Sequence, residues 1–212
     1  MSSKYMPLSP EILKKLSEQF PVNDNCLYLN HAAVSPWPRC TRDAVQKFAE
    51  ENCQTGAQGY LTWLKKDQDL RSKLATLVGS KNPNCVALVK NTSEALSLVA
   101  YGLDWQAGDI VLISDDEFPS NRIVWESLAQ KFGVIVQQIH ISVEDPEAEI
   151  LAAIESMTAK PKLISVSAVQ YASGIKLDLA KLGQACYANN VLFCVDAIQA
   201  VGAMEFKCDD WH

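Results

Sequence analysis

The sequence predicts an α/β fold in which helices cover a mostly parallel sheet and a helical segment precedes it. From residue 85 onward, short apolar runs alternate with stretches of helical periodicity, which is the pattern of βαβ units. The apolar runs are rich in β-branched residues and lack strict alternation, as is typical of strands buried on both faces. The 212 residues are 48% hydrophobic and 21% charged, so a packed globular core is expected.

The part of the chain before residue 85 is predicted to be largely helical. Ser9 suits a helix cap, Pro10 the first helical position and Glu11 the first turn, so a helix is expected from here to about residue 20. An extended segment follows. Helical spacing of apolar residues then returns over residues 39–52 and 60–78.

The rest of the chain is predicted to alternate between strands and helices. The predicted strands are 85–89, 109–114, 134–139, 162–169 and 191–196. The predicted helices are 92–104, 120–132, 146–158 and 178–190. We expect two divisions: residues 1–38, a helix with an extended segment, and residues 39–212, a large ligand-binding domain that is incomplete at its C-terminus.

The composition excludes several classes of partner. Nineteen Lys and Arg against 25 Asp and Glu give a net charge of −6, without a long block of like charge, which disfavours nucleic acid. No apolar stretch approaches the length of a membrane span, and the N-terminus lacks a signal-peptide pattern. Seven cysteines without a CxxC pair suit a reducing compartment and predict no metal site. We therefore expect a cytoplasmic protein with no membrane partner.

The first predicted strand is followed by a helix start at which a phosphate could bind. Thr92 and Ser93 place hydroxyl and backbone N–H groups at the positive end of the helix dipole. The alternative is ordinary capping by Thr92 or Ser93, with Glu94 in the first turn. No glycine-rich fingerprint is present, which disfavours an ordinary nucleotide-binding domain.

Two further strand ends carry side chains suited to a flat ligand. Phe118 follows the second strand, where its ring could lie against the ligand; alternatively it packs under the loop, and Ser120 or Asn121 caps the next helix. Asp196 ends the last strand, where burying a carboxylate is costly unless a cation or backbone donors meet it. Gln199 lies three residues further on and could reach the same ligand.

These strand ends together predict a pyridoxal phosphate (PLP) site. A phosphate cradle, a stacking aromatic ring and a buried acid at the carboxyl ends of three strands of one sheet are what this cofactor requires. The acid keeps the pyridine nitrogen protonated, so that the ring can accept electrons from a substrate carbanion.

The motifs resemble those of the class V aminotransferase and cysteine desulfurase group of fold type I PLP enzymes. The resemblance runs from YLNHAA at residue 28 to DAIQAVGA at residue 203 and includes NTSEA, DEFPSN and VSAVQYASGIKLDL. It implies that the fold is the PLP-binding large domain of this group. It also implies that Thr92 and Ser93 hold the phosphate, Phe118 stacks on the pyridine ring, Asp196 pairs with its nitrogen, and Gln199 contacts its phenolic oxygen.

The same resemblance suggests further contacts and marks two departures. Desulfurases of the group usually have a stacking His where this chain has Phe118, and an Asn where it has Ala168. Gln170 is a candidate to supply an amide instead. His31 and Ala32 are candidates for the border of the substrate pocket, with a surface turn as the alternative.

The resemblance further implies a Schiff-base lysine that follows a histidine, and the 212 residues contain no such pair. We therefore expect the chain to stop before that lysine and to be inactive alone. The expected function is a portion of a PLP-dependent enzyme that acts on a small amino-acid substrate through aldimine chemistry, as an aminotransferase, a C–S lyase or desulfurase, or an epimerase, in a homodimer. The alternative is a non-catalytic truncated paralogue or splice product that binds PLP non-covalently or serves as a dimerisation or binding module.

Overall fold

The computed structural model describes residues 8–142, 144–156 and 160–211. The last two residues of the predicted helix 146–158 lie outside these ranges. The chain divides into two compact units, residues 1–66 and 67–212. The division expected after residue 38 is a different boundary and stays a prediction.

The first unit is helical, as predicted. Helix α1 spans Pro10–Gln19, and its cap is Ser9, whose hydroxyl accepts a hydrogen bond from the Ile12 N–H at 3.3 Å. Helix α2 spans Arg39–Thr55, and α3 spans Tyr60–Val78, beginning in this unit and ending in the next.

The second unit contains a four-stranded sheet with helices between its strands. In chain order the elements are α4 Thr92–Gly102, β1 Ile110–Ser114, α5 Ser120–Phe132, β2 Ile135–Ile139, α6 Ala148–Ser156, β3 Leu163–Ser167, α7 Leu179–Ala188 and β4 Leu192–Asp196. The spatial order is β2-β1-β3-β4, and each neighbouring pair is parallel. The α/β class and the parallel sheet are therefore confirmed.

Helices cover both faces of this sheet. Alternate side chains of each strand point to opposite sides, and apolar side chains on both sides pack against helices. Val111 and Ile113 of β1 pack with residues of α4 and α5, such as Leu96 and Leu128. Leu112, between them, packs on the opposite face with residues of α6 and α7, such as Leu182. The middle strands β1 and β3 are buried throughout.

Two predictions about the strands are wrong. Residues 85–89 form no strand: Pro83–Cys85 is a short 3₁₀ turn, and the chain after it pairs with no described strand. Leu88 and Val89 remain exposed, because an apolar run becomes a strand only where a neighbour supplies backbone partners. The strands β2 and β4 are not buried on both faces, since each is a sheet edge covered less completely.

None of the helices within the described ranges has the length and apolar content needed to cross a membrane.

Candidate functional site

The site is built at one edge of the sheet. In a parallel sheet all carboxyl ends meet at the same edge, so the segments after β1, β3 and β4 are neighbours. Phe118 follows β1, Gln170 follows β3, Asp196 is the last residue of β4, and Gln199 lies in the turn after it. Four of the residues predicted for the site are therefore carried to this edge.

Asp196 is a buried carboxylate, with 6% of its surface exposed. Its Oδ1 accepts a hydrogen bond from the Ile198 N–H at 3.0 Å, which is the backbone partner foreseen as one alternative. Burial raises the pKa of the Asp196 carboxyl; the bond from Ile198 lowers it, and the charge of Glu117 raises it again. A cationic partner at this position would offset the cost of burial.

Phe118 is an accessible aromatic ring beside this edge, with 48% of its surface exposed. Its ring meets that of Tyr171 edge-on, with the two centroids 5.1 Å apart and an interplanar angle of 84°. The ring does not pack under the loop, which is the alternative considered from sequence. A groove of about 390 Å³ between α4 and α5 is lined by both Phe118 and Ser93, so two predicted cofactor contacts share one surface.

The helix caps considered as alternatives for α4 and α5 are not the ones that the structure has. The cap of α4 is Asn91, whose Oδ1 accepts from the Glu94 N–H at 2.9 Å. Thr92 and Ser93 are the first helical residues, so their hydroxyls are not used as caps. Ser93 is exposed and Thr92 half-buried, which leaves both accessible to an anion at the helix start.

At α5, neither Ser120 nor Asn121 is the cap, since Pro119 occupies that position without a side-chain bond. Asn121 is instead fully buried and faces the sheet. Its helix position explains this: Asn121 and Trp125 are four residues apart and therefore on the same helix face.

Gln170 is 1% exposed and lies in the turn after β3. Its Nε2 donates to Ser114 Oγ at 3.1 Å and to Glu117 Oε1 at 3.0 Å. Its Oε1 has no hydrogen-bond partner within the described part of the chain. A buried amide oxygen without a donor is costly, so this atom can accept a bond from a ligand or water.

Glu117 is a buried acid that sequence reasoning missed. It lies at 7% exposure beside Asp196 and shares hydrogen bonds with Ser114, Asn121 and Ser167. The three consecutive acids from Asp115 to Glu117 look alike in sequence. The available signal was position, because Glu117 lies just before a helix whose inner face is buried.

The remaining predicted residues lie in two turns. Gln199 is half-buried in the turn after β4. His31 and Ala32 belong to the first unit, in an exposed turn at residues 31–33, where the His31 ring meets that of Tyr28 edge-on at 5.2 Å. Their role at a substrate pocket stays a prediction. The described residues contain no group of three or more His, Cys, Asp or Glu able to hold a metal ion.

Several known proteins are similar to this chain in sequence or in fold. A probable cysteine desulfurase of Methanothermobacter thermautotrophicus is 32% identical over 186 residues, which cover 84% of this chain and 45% of that protein. Isopenicillin N epimerase of Streptomyces clavuligerus is 31% identical over 137 residues, covering 64% of this chain and 34% of the epimerase. A structure of C-DES, in a mutant with glycine covalently linked to the PLP cofactor, has a TM-score of 0.84 at 22% identity and covers 92% of this chain and 53% of that one.

The chain spans about half the length of the curated relatives it matches. The sequence model of the aminotransferase class-V family matches residues 27–212, which includes every strand end described above. The chain therefore belongs to the aminotransferase class-V family.

Proposed function

We propose that this chain binds pyridoxal phosphate and forms part of an enzyme that acts on an amino acid. Class V aminotransferases use this cofactor. The observation that carries the proposal is Asp196, a buried carboxylate at a strand end whose pKa is raised by burial. Such a group is stabilised by a ligand that brings a positive N–H to it.

The charges of the site fit a protonated pyridine ring. Neither Asp196 nor Glu117 forms an ion pair with a described Lys, Arg or His. Two buried acids without a cation favour a ligand that brings a positive charge and disfavour an anionic ring. The bound cofactor would supply an electron sink for a substrate carbanion.

The other residues have roles suited to their positions. Thr92 and Ser93 would bind the phosphate with hydroxyl and N–H groups at the start of α4, where the helix dipole favours an anion. Asp196 would hold the proton at the ring nitrogen. Phe118 would lie against one face of the ring and exclude water from it, and Gln199 would contact the phenolic oxygen. The unpaired Oε1 of Gln170 could accept a further bond there.

The reaction of the whole protein is proposed only as a class. The two relatives described above are named for different chemistry, desulfuration and epimerisation, yet their identities to this chain are similar, at 32% and 31%. The desulfurase is named for an amino acid, cysteine. Transamination, C–S bond cleavage and epimerisation all remain within the proposal. A homodimer and a cytoplasmic location stay predictions.

Binding of pyridoxamine 5′-phosphate to the chain tests the proposal. This amine form of the cofactor cannot form Schiff bases with surface lysines, so calorimetric titration reports the non-covalent site alone. We expect saturable binding at one site per chain. Asp196→Asn should weaken it about 10- to 100-fold, because a charged hydrogen bond is worth about 1.5–3 kcal/mol. The exposed Asp210→Asn is the matched control and should bind like the wild type.

Two results would count against the proposal that the chain binds pyridoxal phosphate at Asp196. One is the lack of saturable binding at millimolar pyridoxamine phosphate, and the other is an Asp196→Asn variant that binds as tightly as the wild type. A non-catalytic binding module would give the same binding. Amino-acid turnover by the full-length protein distinguishes the enzyme from that module.

A further inference from the structure

Glu117 accepts several hydrogen bonds, although the proposed function assigns it no contact with the cofactor. Its Oε1 accepts from Ser114 Oγ at 2.8 Å, from the Ser167 N–H at 2.8 Å and from Gln170 Nε2 at 3.0 Å. Its Oε2 accepts from Asn121 Nδ2 at 2.8 Å and from Ser167 Oγ at 2.6 Å. Five donors satisfy a carboxylate without neutralising it, so the negative charge can stay buried.

These donors come from separate elements. Ser114 ends β1, Asn121 is in the first turn of α5, Ser167 ends β3, and Gln170 lies in the turn beyond it. One side chain therefore joins the carboxyl ends of two neighbouring strands to the start of a helix. Such shared bonding restricts how far these segments can move apart.

Both principal contacts of the proposed cofactor ring are attached to this junction. Phe118 is the next residue along the chain from Glu117, and its ring meets Tyr171, the next residue after Gln170. Asp196 is the register partner of Ser167, and paired side chains of parallel neighbours lie on the same face of the sheet. Ser167 is thus bonded to the Glu117 carboxylate and is the strand neighbour of Asp196.

The charge of Glu117 also acts on Asp196. It contributes to the raised pKa of the Asp196 carboxyl, after burial and against the bond from Ile198. The other titratable group beside Asp196 is the Cys194 thiol, on the same strand, whose pKa is raised by its burial and then by the two carboxylates, against a bond with Ser165. No described Lys, Arg or His contributes to the titration of Asp196.

We propose that Glu117 is a positioning residue of this site, which fixes Phe118 and Asp196 in place and keeps a second buried negative charge beside Asp196. This inference rests on the proposed function, because it assigns Glu117 a role toward the same cationic ring. The role is not catalytic, since Glu117 acts through its neighbours.

The first test needs no cofactor. We would follow the ¹³C carboxyl resonance of Asp196 against pH in the ligand-free chain and in three variants: E117Q, which removes the charge; E117D, which keeps the charge but shortens the side chain; and D116N, which removes a neighbouring acid outside the network. The titration midpoint of Asp196 should fall in E117Q and stay near the wild-type value in D116N. E117D should keep most of the raised midpoint.

The second test follows the ring. Nuclear Overhauser contacts between the Phe118 and Tyr171 rings should weaken in both E117Q and E117D, and remain in D116N. Pyridoxamine phosphate should bind about tenfold more weakly to E117Q, which corresponds to about 1.4 kcal/mol. If the role of Glu117 were purely structural, the contacts between the two rings would weaken in both variants, and the titration midpoint of Asp196 would be the same in E117Q and E117D.

The outcomes separate this inference from the proposed function. If the wild type does not bind pyridoxamine phosphate, the cofactor proposal fails, while the titration and the ring contacts still test Glu117. An Asp196 midpoint that falls as far in E117D as in E117Q overturns the electrostatic role. If E117Q does not fold, ring contacts in E117D that match the wild type overturn the positioning role.

Discussion

Asn121→Ala is the substitution that most directly tests the buried polar network. Asn121 has no exposed surface and forms three side-chain hydrogen bonds. Its Nδ2 donates to Glu117 Oε2 at 2.8 Å, and its Oδ1 accepts from Trp125 Nε1 at 3.1 Å and from Ser165 Oγ at 2.5 Å. Alanine removes all three bonds at once. It leaves the indole N–H of Trp125, a residue with 0% exposure, buried without an acceptor.

The expected loss follows from these bonds. The Trp125 N–H loses its acceptor, which costs about 1–3 kcal/mol for a buried donor, whereas the Ser165 hydroxyl can rotate and costs less. The bond to Glu117 is to a charged group and is worth about 1.5–3 kcal/mol, softened by the four donors that remain. Together these losses predict a free energy of unfolding lower by about 3–6 kcal/mol, against a total of about 5–15 kcal/mol for a typical domain.

Equilibrium unfolding in urea, followed by circular dichroism at 222 nm, measures this change. Asn84→Ala is the matched control, since Asn84 is exposed and its side chain bonds no described residue. We expect the control to stay within about 0.5 kcal/mol of the wild type. A loss below about 1 kcal/mol for Asn121→Ala would refute the reasoning, because it would mean that the network contributes no more than a surface contact.

Three further predictions concern single ionisable groups. Burial raises the pKa of the Asp196 carboxyl, so the stability that the protonated form contributes is full at low pH and is lost as pH rises through the folded-state value. Asp196→Asn should therefore be more stable than the wild type at pH 7, with the gain disappearing at low pH; thermal unfolding that shows a gain at low pH and none at pH 7 would contradict this. The Lys162 ammonium lies 2.7 Å from Asp109 Oδ2 and lowers the pKa of that carboxyl, with a further bond from the Gln106 N–H. Lys162→Met should therefore cost about 1 kcal/mol at pH 7, and the deficit should vanish as pH falls through the lowered Asp109 pKa; a deficit that persists in acid would argue against the ion pair. Burial raises the pKa of the Cys186 thiol to about 11, so at pH 8 it should react with a thiol reagent far more slowly than the exposed Cys40, and equal rates in the folded chain would disprove this.

The fold was predictable to the extent that it depends on local pattern. The periodicity of α4, α5 and α7 and the β-branched runs of β1 and β3 each lie within about a dozen residues, so the alternation of elements could be read directly. The order of the strands within the sheet could not be read in this way. Residues 85–89 have the composition of a strand but no described partner, and β2 and β4 are sheet edges, which depends on the whole topology rather than on their own sequences.

The site was predictable where a residue is unusual for its element. Asp196 stands out because it ends an apolar strand, and Phe118 because it follows one. Glu117 does not stand out, since it is the last of three acids in a loop. Which of those acids turns inward is decided by donors on α5, on β3 and in the turn after β3, which lie four to 53 residues away along the chain.

The two buried acids differ in how their charges are met, and this difference indicates where a ligand is needed. Five hydrogen bonds satisfy Glu117, so its charge is stable without a cation. Asp196 accepts a bond from the Ile198 N–H, yet burial and the neighbouring charge keep its pKa raised. The arrangement therefore disfavours ionised Asp196 unless a cation meets it, as the protonated ring nitrogen of the proposed cofactor would. In the proposed site, Glu117 would therefore favour a positively charged ring more than Asp196 alone would.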